Sequence, residues 1–143
     1  MKNTDRILRS SLLATAMLPA SMAWATISAE LPPARTAGPV TYLSGGGDPA
    51  QARAMDAAAH GYPLELLFFW GRGQKETPVP VEWSIKNAAG RELLDARASG
   101  PEVLASLPDG RYTVTARYEE RTLSRVVLLH RGMRDTVILE WPS

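Results

Sequence analysis

After the Gly71-Arg72-Gly73 loop apolar and polar residues alternate with a period of two, and from Tyr62 to Trp141 turn-forming residues divide the chain at intervals of about 8–12 residues. That pattern forces antiparallel strands with one buried and one wet face. Val79, Val81, Trp83 and Ile85 alternate with Pro80, Glu82 and Ser84, while Tyr112, Val114, Ala116 and Tyr118 alternate with Arg111, Thr113, Thr115 and Arg117. The breaks fall at Gly71-Arg72-Gly73, Asn87–Gly90, Ser99-Gly100-Pro101, Pro108-Asp109-Gly110, Glu119-Glu120 and Arg131-Gly132. Seven strands result, counted from Tyr62. Pro80 cannot donate to a ladder, so its strand is expected at a sheet edge. A two-residue turn at Glu119-Glu120 would set Val114 opposite Arg125 and Ala116 opposite Leu123, mixing core and polar positions, so a longer turn or a bulge is expected there.

The segment before these strands reads differently. Val40–Leu43 is a short strand broken by Ser44-Gly45-Gly46-Gly47, after which Asp48-Pro49 offers an N-cap acceptor and a proline at the first helical position. A helix over about 49–60 follows, rich in Ala, with Arg53 and Asp56 toward solvent and Gly61 placed for a left-handed cap. Tyr62–Trp70 carries apolar residues on both faces of its second half. The helix is therefore expected to cover that strand near Leu67 and Phe69.

The chain opens with Lys2, Arg6 and Arg9, continues through a Leu/Ala/Met segment and reaches Ala23-Trp24-Ala25, the layout of a secretory signal peptide cleaved after Ala25 with Ala23 and Ala25 as its small-residue positions. Hydroxyl residues and Pro19 make this run too polar for a bilayer-spanning helix of about twenty apolar residues. No transmembrane segment is expected after cleavage. Losing Lys2, Arg6, Arg9 and Asp5 takes the formal charge from +1 to −1 and leaves 118 of the 143 residues. Residues 26–39, rich in Ala, Thr and Pro, read as a flexible leader to one domain spanning 40–142. Export to the periplasm or cell exterior is the expected location.

Composition narrows the chemistry further. The 16 Lys+Arg balance 15 Asp+Glu too closely for a nucleic-acid binder to be inferred. With no cysteine and only His60 and His130, the chain has no disulfide, no thiol nucleophile and too few imidazoles for a three-histidine metal site. No cofactor is expected.

The stretch 77–141 resembles the carboxypeptidase regulatory-like domains, relatives of the transthyretin-like sandwich, through Pro78-Val79-Pro80-Val81-Glu82-Trp83-Ser84-Ile85, the Gly90 turn and above all Leu107-Pro108-Asp109-Gly110-Arg111-Tyr112-Thr113-Val114. The resemblance implies a mainly β, seven-stranded antiparallel Ig-like or prealbumin-like sandwich, here with one short helix near its N-terminus. It also implies a non-catalytic binding or structural module. The purine-ring hydrolases of the transthyretin-like group end in Tyr-Arg-Gly-Ser, whereas this chain ends Glu140-Trp141-Pro142-Ser143. That activity is not implied here.

No catalytic or metal-binding set converges in the sequence. The glycine loop Gly45–Asp48 lacks a phosphate-loop Lys and puts a carboxylate where a phosphate would sit, which favours helix capping. A small hydrolase using that loop is the alternative reading. Glu119 and Glu120 are neighbours whose side chains point apart, unlike a glycosidase pair. Binding residues are better sought at Trp70 and Trp141, which can stack on a sugar or peptide, and at Arg111 and Arg117 on the outward stripe. The expected partner is a protein or glycan of the envelope.

Overall fold

The computed structural model describes residues 31–71 and 81–142. The signal-peptide positions Ala23 and Ala25, like Val79 and Pro80, lie outside them. Nine strands and one helix follow in order: β1 (Arg35–Ala37), β2 (Val40–Gly45), α1 (Pro49–Ala58), β3 (Leu64–Trp70), β4 (Glu82–Asn87), β5 (Glu92–Arg97), β6 (Glu102–Ser106), β7 (Gly110–Tyr118), β8 (Arg121–Leu129) and β9 (Asp135–Trp141). They form a sandwich of a five-stranded sheet ordered β1-β2-β6-β3-β9 and a four-stranded sheet ordered β5-β4-β7-β8. The seven strands expected from Tyr62 onward are all present.

Two strands extend that count. β2 is the short strand expected at Val40. β1 lies within the segment read as a leader and pairs with β2 from Arg35↔Tyr42 to Ala37↔Val40, turning at Gly38, whose positive φ of 54° suits glycine. The sandwich is also not purely antiparallel, because β9 runs parallel to β3 from Leu64↔Asp135 to Trp70↔Trp141. β9 enters after the chain has crossed from the other sheet, and such a crossover is what a parallel pair requires.

The inward residues meet in one core. Val40, Leu64, Leu66, Phe68, Val81, Ile85, Val103, Val114 and Leu139 are buried completely, with Trp83 and Trp141 beside them. Tyr42 packs edge-on against Trp83, ring centroids 5.2 Å apart. Tyr112 donates its hydroxyl to the Pro108 carbonyl at 2.7 Å, tying the Pro108-Asp109-Gly110 turn to the strand it starts. Burial, and then the charge of Asp109, raise the Tyr112 phenol above its ordinary range.

Several local expectations are corrected. β4 lies between β5 and β7 rather than at an edge, and its described ladder begins at Glu82, past the proline on which the edge expectation rested. The hairpin at Glu119-Glu120 keeps the two-residue turn, with Tyr118↔Arg121, Ala116↔Leu123 and Val114↔Arg125 in register. Glu119 accepts a left-handed φ of 54° to make it. Arg125 thus stands on the inner face, yet it is exposed, because β8 is an edge strand and a long side chain reaches water past the edge. The register shift occurs instead between β4 and β5, at Ile85/Lys86.

The helix is capped as expected, Asp48 accepting from the Gln51 N–H at 2.8 Å. It ends without the left-handed glycine expected at Gly61: residues Ala59–Gly61 tighten into a 3₁₀ turn, and the Tyr62 N–H donates to the Ala59 carbonyl at 3.1 Å. Nor does it cover Leu67 and Phe69. Met55 and Ala59 bury against Leu43 of β2 and Leu104 of β6, forming a second small core on the outer face of the five-stranded sheet. Leu67 and Phe69 remain half-buried, and their neighbour Ile138 on β9 is exposed. Gly100 fixes how closely the β6 entry meets β2, since a Cβ there would lie 2.3 Å from the Gly45 carbonyl oxygen.

Candidate functional site

The two tryptophans proposed from sequence as contact residues belong together, Trp141 buried and Trp70 half-buried. Trp141 is 1% exposed, stacks on Trp70 at 5.0 Å and 15°, and donates its indole N–H to the Arg121 carbonyl at 3.2 Å. Tyr118 closes the cluster, edge-on to Trp70 at 4.6 Å. Trp141 is thus a core residue joining β9 to β8 and offers no stacking platform; Trp70 keeps a partly exposed edge. Burial of a terminal Trp is the cheaper solution, because stacking both indoles removes two large apolar surfaces from water at once.

Arg111 and Arg117 lie elsewhere, on the outer face of the four-stranded sheet, so the four residues do not form one site. The register sets them in cross-strand rows. Arg97, Glu82, Arg117 and Thr122 form one row; Asp95, Ser84, Thr115 and Ser124 the next; Glu92, Lys86, Thr113 and Val126 a third; and Arg111 stands opposite Leu128. Glu82 takes a hydrogen-bonded ion pair from Arg117 and lies 3.7 Å from Arg97. Arg117 is thereby neutralised.

Arg111 is not neutralised in this way. Among the described residues, neither Arg111 nor Lys86 has an ion pair. Together with Thr113, Thr115 and Val126 they line a shallow concavity of about 420 Å³, walled by the Asn87–Gly90 turn. Asn87 stiffens that wall, its Oδ1 accepting from the Ala89 and Arg91 N–H groups at 3.1 and 2.9 Å. Two cations, two hydroxyls and the exposed Val126 and Leu128 give the surface donors and apolar area side by side.

The loop Gly45–Asp48 is held by the helix it precedes. Gln51 Oε1 accepts from the Gly46 N–H at 2.8 Å, while Asp48 caps the helix. His60 Nδ1 lies 3.3 Å from Arg134 Nη1, and among the described residues neither His60 nor His130 is hydrogen-bonded to a serine or a carboxylate.

One group escaped the sequence reading. Asp56 of α1, Glu65 of β3 and Glu102 of β6 bring carboxylate oxygens within 4.8 Å of one another, with Glu65 6% exposed and Glu102 fully buried. Arg134 answers Glu65 through a hydrogen-bonded ion pair, and the Thr136 hydroxyl lies 3.4 Å from the same oxygen. The available signal was a glutamate inside each of two apolar strands. What the sequence hid was that a helix would lay Asp56 over both.

Among the described residues no helix is long and apolar enough to cross a membrane. No family model matches the chain, and no curated protein matches it. Among solved structures it is similar to that described as the crystal structure of S.CueP, with a TM-score of 0.44 and 10% identity over 52% of this chain and 58% of that one. It is also similar to the Bacillus anthracis TIE protein, with a TM-score of 0.40 and 18% identity over 55% of this chain and 16% of that one.

Proposed function

We propose that this protein is a non-enzymatic, exported binding or structural module of the periplasm or cell envelope, and that it meets a protein or glycan partner through the outer face of its four-stranded sheet. One observation carries the reading: Lys86 and Arg111, without ion pairs among the described residues, flank a concavity with hydroxyl groups on its floor and apolar Val126 at its side. Cations left unanswered beside exposed apolar area are the composition of a recognition surface rather than of a merely solvated one. The signal-peptide pattern ending at Ala25 supports export. The resemblance of 77–141 to carboxypeptidase regulatory-like domains supports an accessory role rather than a catalytic one.

The test is retention of a partner by the immobilised protein, from envelope extract and on a glycan array. A specific partner is expected, with Arg111→Glu weakening retention about tenfold, the effect of about 1.4 kcal/mol, and Arg53→Glu on the exposed side of α1 leaving it unchanged. Failure to retain anything in both formats overturns the proposal.

A further inference from the structure

A second concavity lies at the seam of the sandwich, where the β1–β2 edge of one sheet approaches the β5 end of the other. It encloses about 250 Å³ and is lined by Arg35, Tyr42, Ser44, Gln51, Arg97 and Ser99, with Pro32 and Pro33 as an apolar wall. Among the described residues, none that lines it is acidic. The volume falls below the roughly 300–1,000 Å³ of sites for drug-sized ligands, so its occupant is small.

The hydrogen bonds already made around this cleft decide what it offers. Ser44 Oγ accepts from the Ser99 N–H at 2.7 Å, which leaves the hydroxyl proton to be donated elsewhere. Gln51 Oε1 accepts from the Gly46 N–H at 2.8 Å; an N–H can only be met by the amide oxygen, so the Gln51 NH₂ is left as the free end. Both neutral polar groups have spent an acceptor on the backbone and present donors. Arg97 is held only loosely, 3.7 Å from a Glu82 that Arg117 engages more closely, and Arg35 has no ion pair among the described residues. Tyr42 is fixed behind them by its edge-on contact with Trp83.

We infer that this seam cleft is a binding site for a small molecule carrying an oxyanion, carboxylate or phosphate, held by Arg35 and Arg97 with Ser44 and Gln51 donating beside them. The inference is independent of the outer-face proposal, since it uses none of the residues that line that concavity. Planar guanidinium groups suit either oxyanion, because both present paired oxygens to the arginine fork.

The experiment is a titration of the ¹⁵N-labelled protein, at constant ionic strength, with sodium phosphate and separately with sodium citrate, against a sodium chloride control. Saturable shifts of the Ser44, Gly46 and Ser99 amides are expected with phosphate, citrate or both, and the arm that saturates at lower concentration identifies the anion. Arg35→Gln and Arg97→Gln should each raise the apparent Kd about fivefold or more, the effect of losing one charge-assisted hydrogen bond in a partly exposed site. Gln51→Glu should abolish saturation while preserving the fold: one carboxylate oxygen still accepts from Gly46, and the other meets the ligand with negative charge. Shifts that rise without saturation as in chloride overturn the inference, as does saturation indifferent to all three substitutions.

Discussion

The two sheets of this sandwich share one core but treat their outer faces in opposite ways. On the five-stranded sheet, Leu43 and Leu104 interrupt the polar outer row, α1 covers them with Met55 and Ala59, and carboxylates are drawn in beneath the helix. On the four-stranded sheet the outer rows are ionic and hydroxylic, no described element covers them, and Val126 and Leu128 stay more than half exposed. Leu43 and Leu104 thus share a third layer with the helix, whereas Val126 and Leu128, set among rows of Lys, Arg, Thr and Ser, stay exposed for contact with something else. Burial also changes the meaning of charge, since an ion pair under the helix is committed to structure while a cation on the open face remains available.

The comparison is broken most directly at the helix. Met55→Ala removes a fully buried side chain and should cost about 2–5 kcal/mol in urea unfolding, while Val126→Thr on the open face should change stability by less than about 0.5 kcal/mol. Equal costs would mean that the helix is not integral to the fold. The ion pairs sharpen the same contrast at a smaller scale: Arg134→Ala leaves buried Glu65 without its cation and should cost about 1–3 kcal/mol, whereas Arg117→Ala on the exposed face should cost under about 1 kcal/mol. Addition of salt should weaken the second effect more than the first.

The third effect concerns Tyr112, whose inward ring belongs to the shared core. Its folded-state pKa is raised, so the phenol stays protonated in the native protein at a pH where the unfolded chain has begun to ionise. The stabilisation it contributes is therefore complete below about pH 10 and declines as the pH rises past that point. Tyr112→Phe should lose about 1 kcal/mol at neutral pH with the Pro108 hydrogen bond, and should flatten the alkaline decline measured by thermal unfolding.

Much of the sandwich was legible because period-two alternation is a local signal, and it marks the strands between Glu82 and Trp141 without knowledge of any neighbour. What failed depended on neighbours. Arg125 occupies an inward position that alternation alone declares wrong, and only its place on an edge strand makes it tolerable. β1 is three residues long in a proline-rich segment, too short to show a period. The outward direction of Arg111 and Arg117 followed from alternation, but which of them Glu82 would neutralise depended on β4 lying beside β7. The carboxylate cluster and the seam cleft each draw on three or more elements distant in sequence, so no window of the chain contains either.

The parallel pairing of β9 with β3 has a consequence in time. Leu64 finds its partner Asp135 across 71 residues, and the crossover places most of the other strands between them. The five-stranded sheet cannot be completed until almost the whole chain is available, so closing that long loop must precede any reward from the Trp70–Trp141 stack. The hairpin of β7 and β8, joined by two residues, is the natural place for order to start, and the last strand to arrive is the one that shuts the aromatic end of the core.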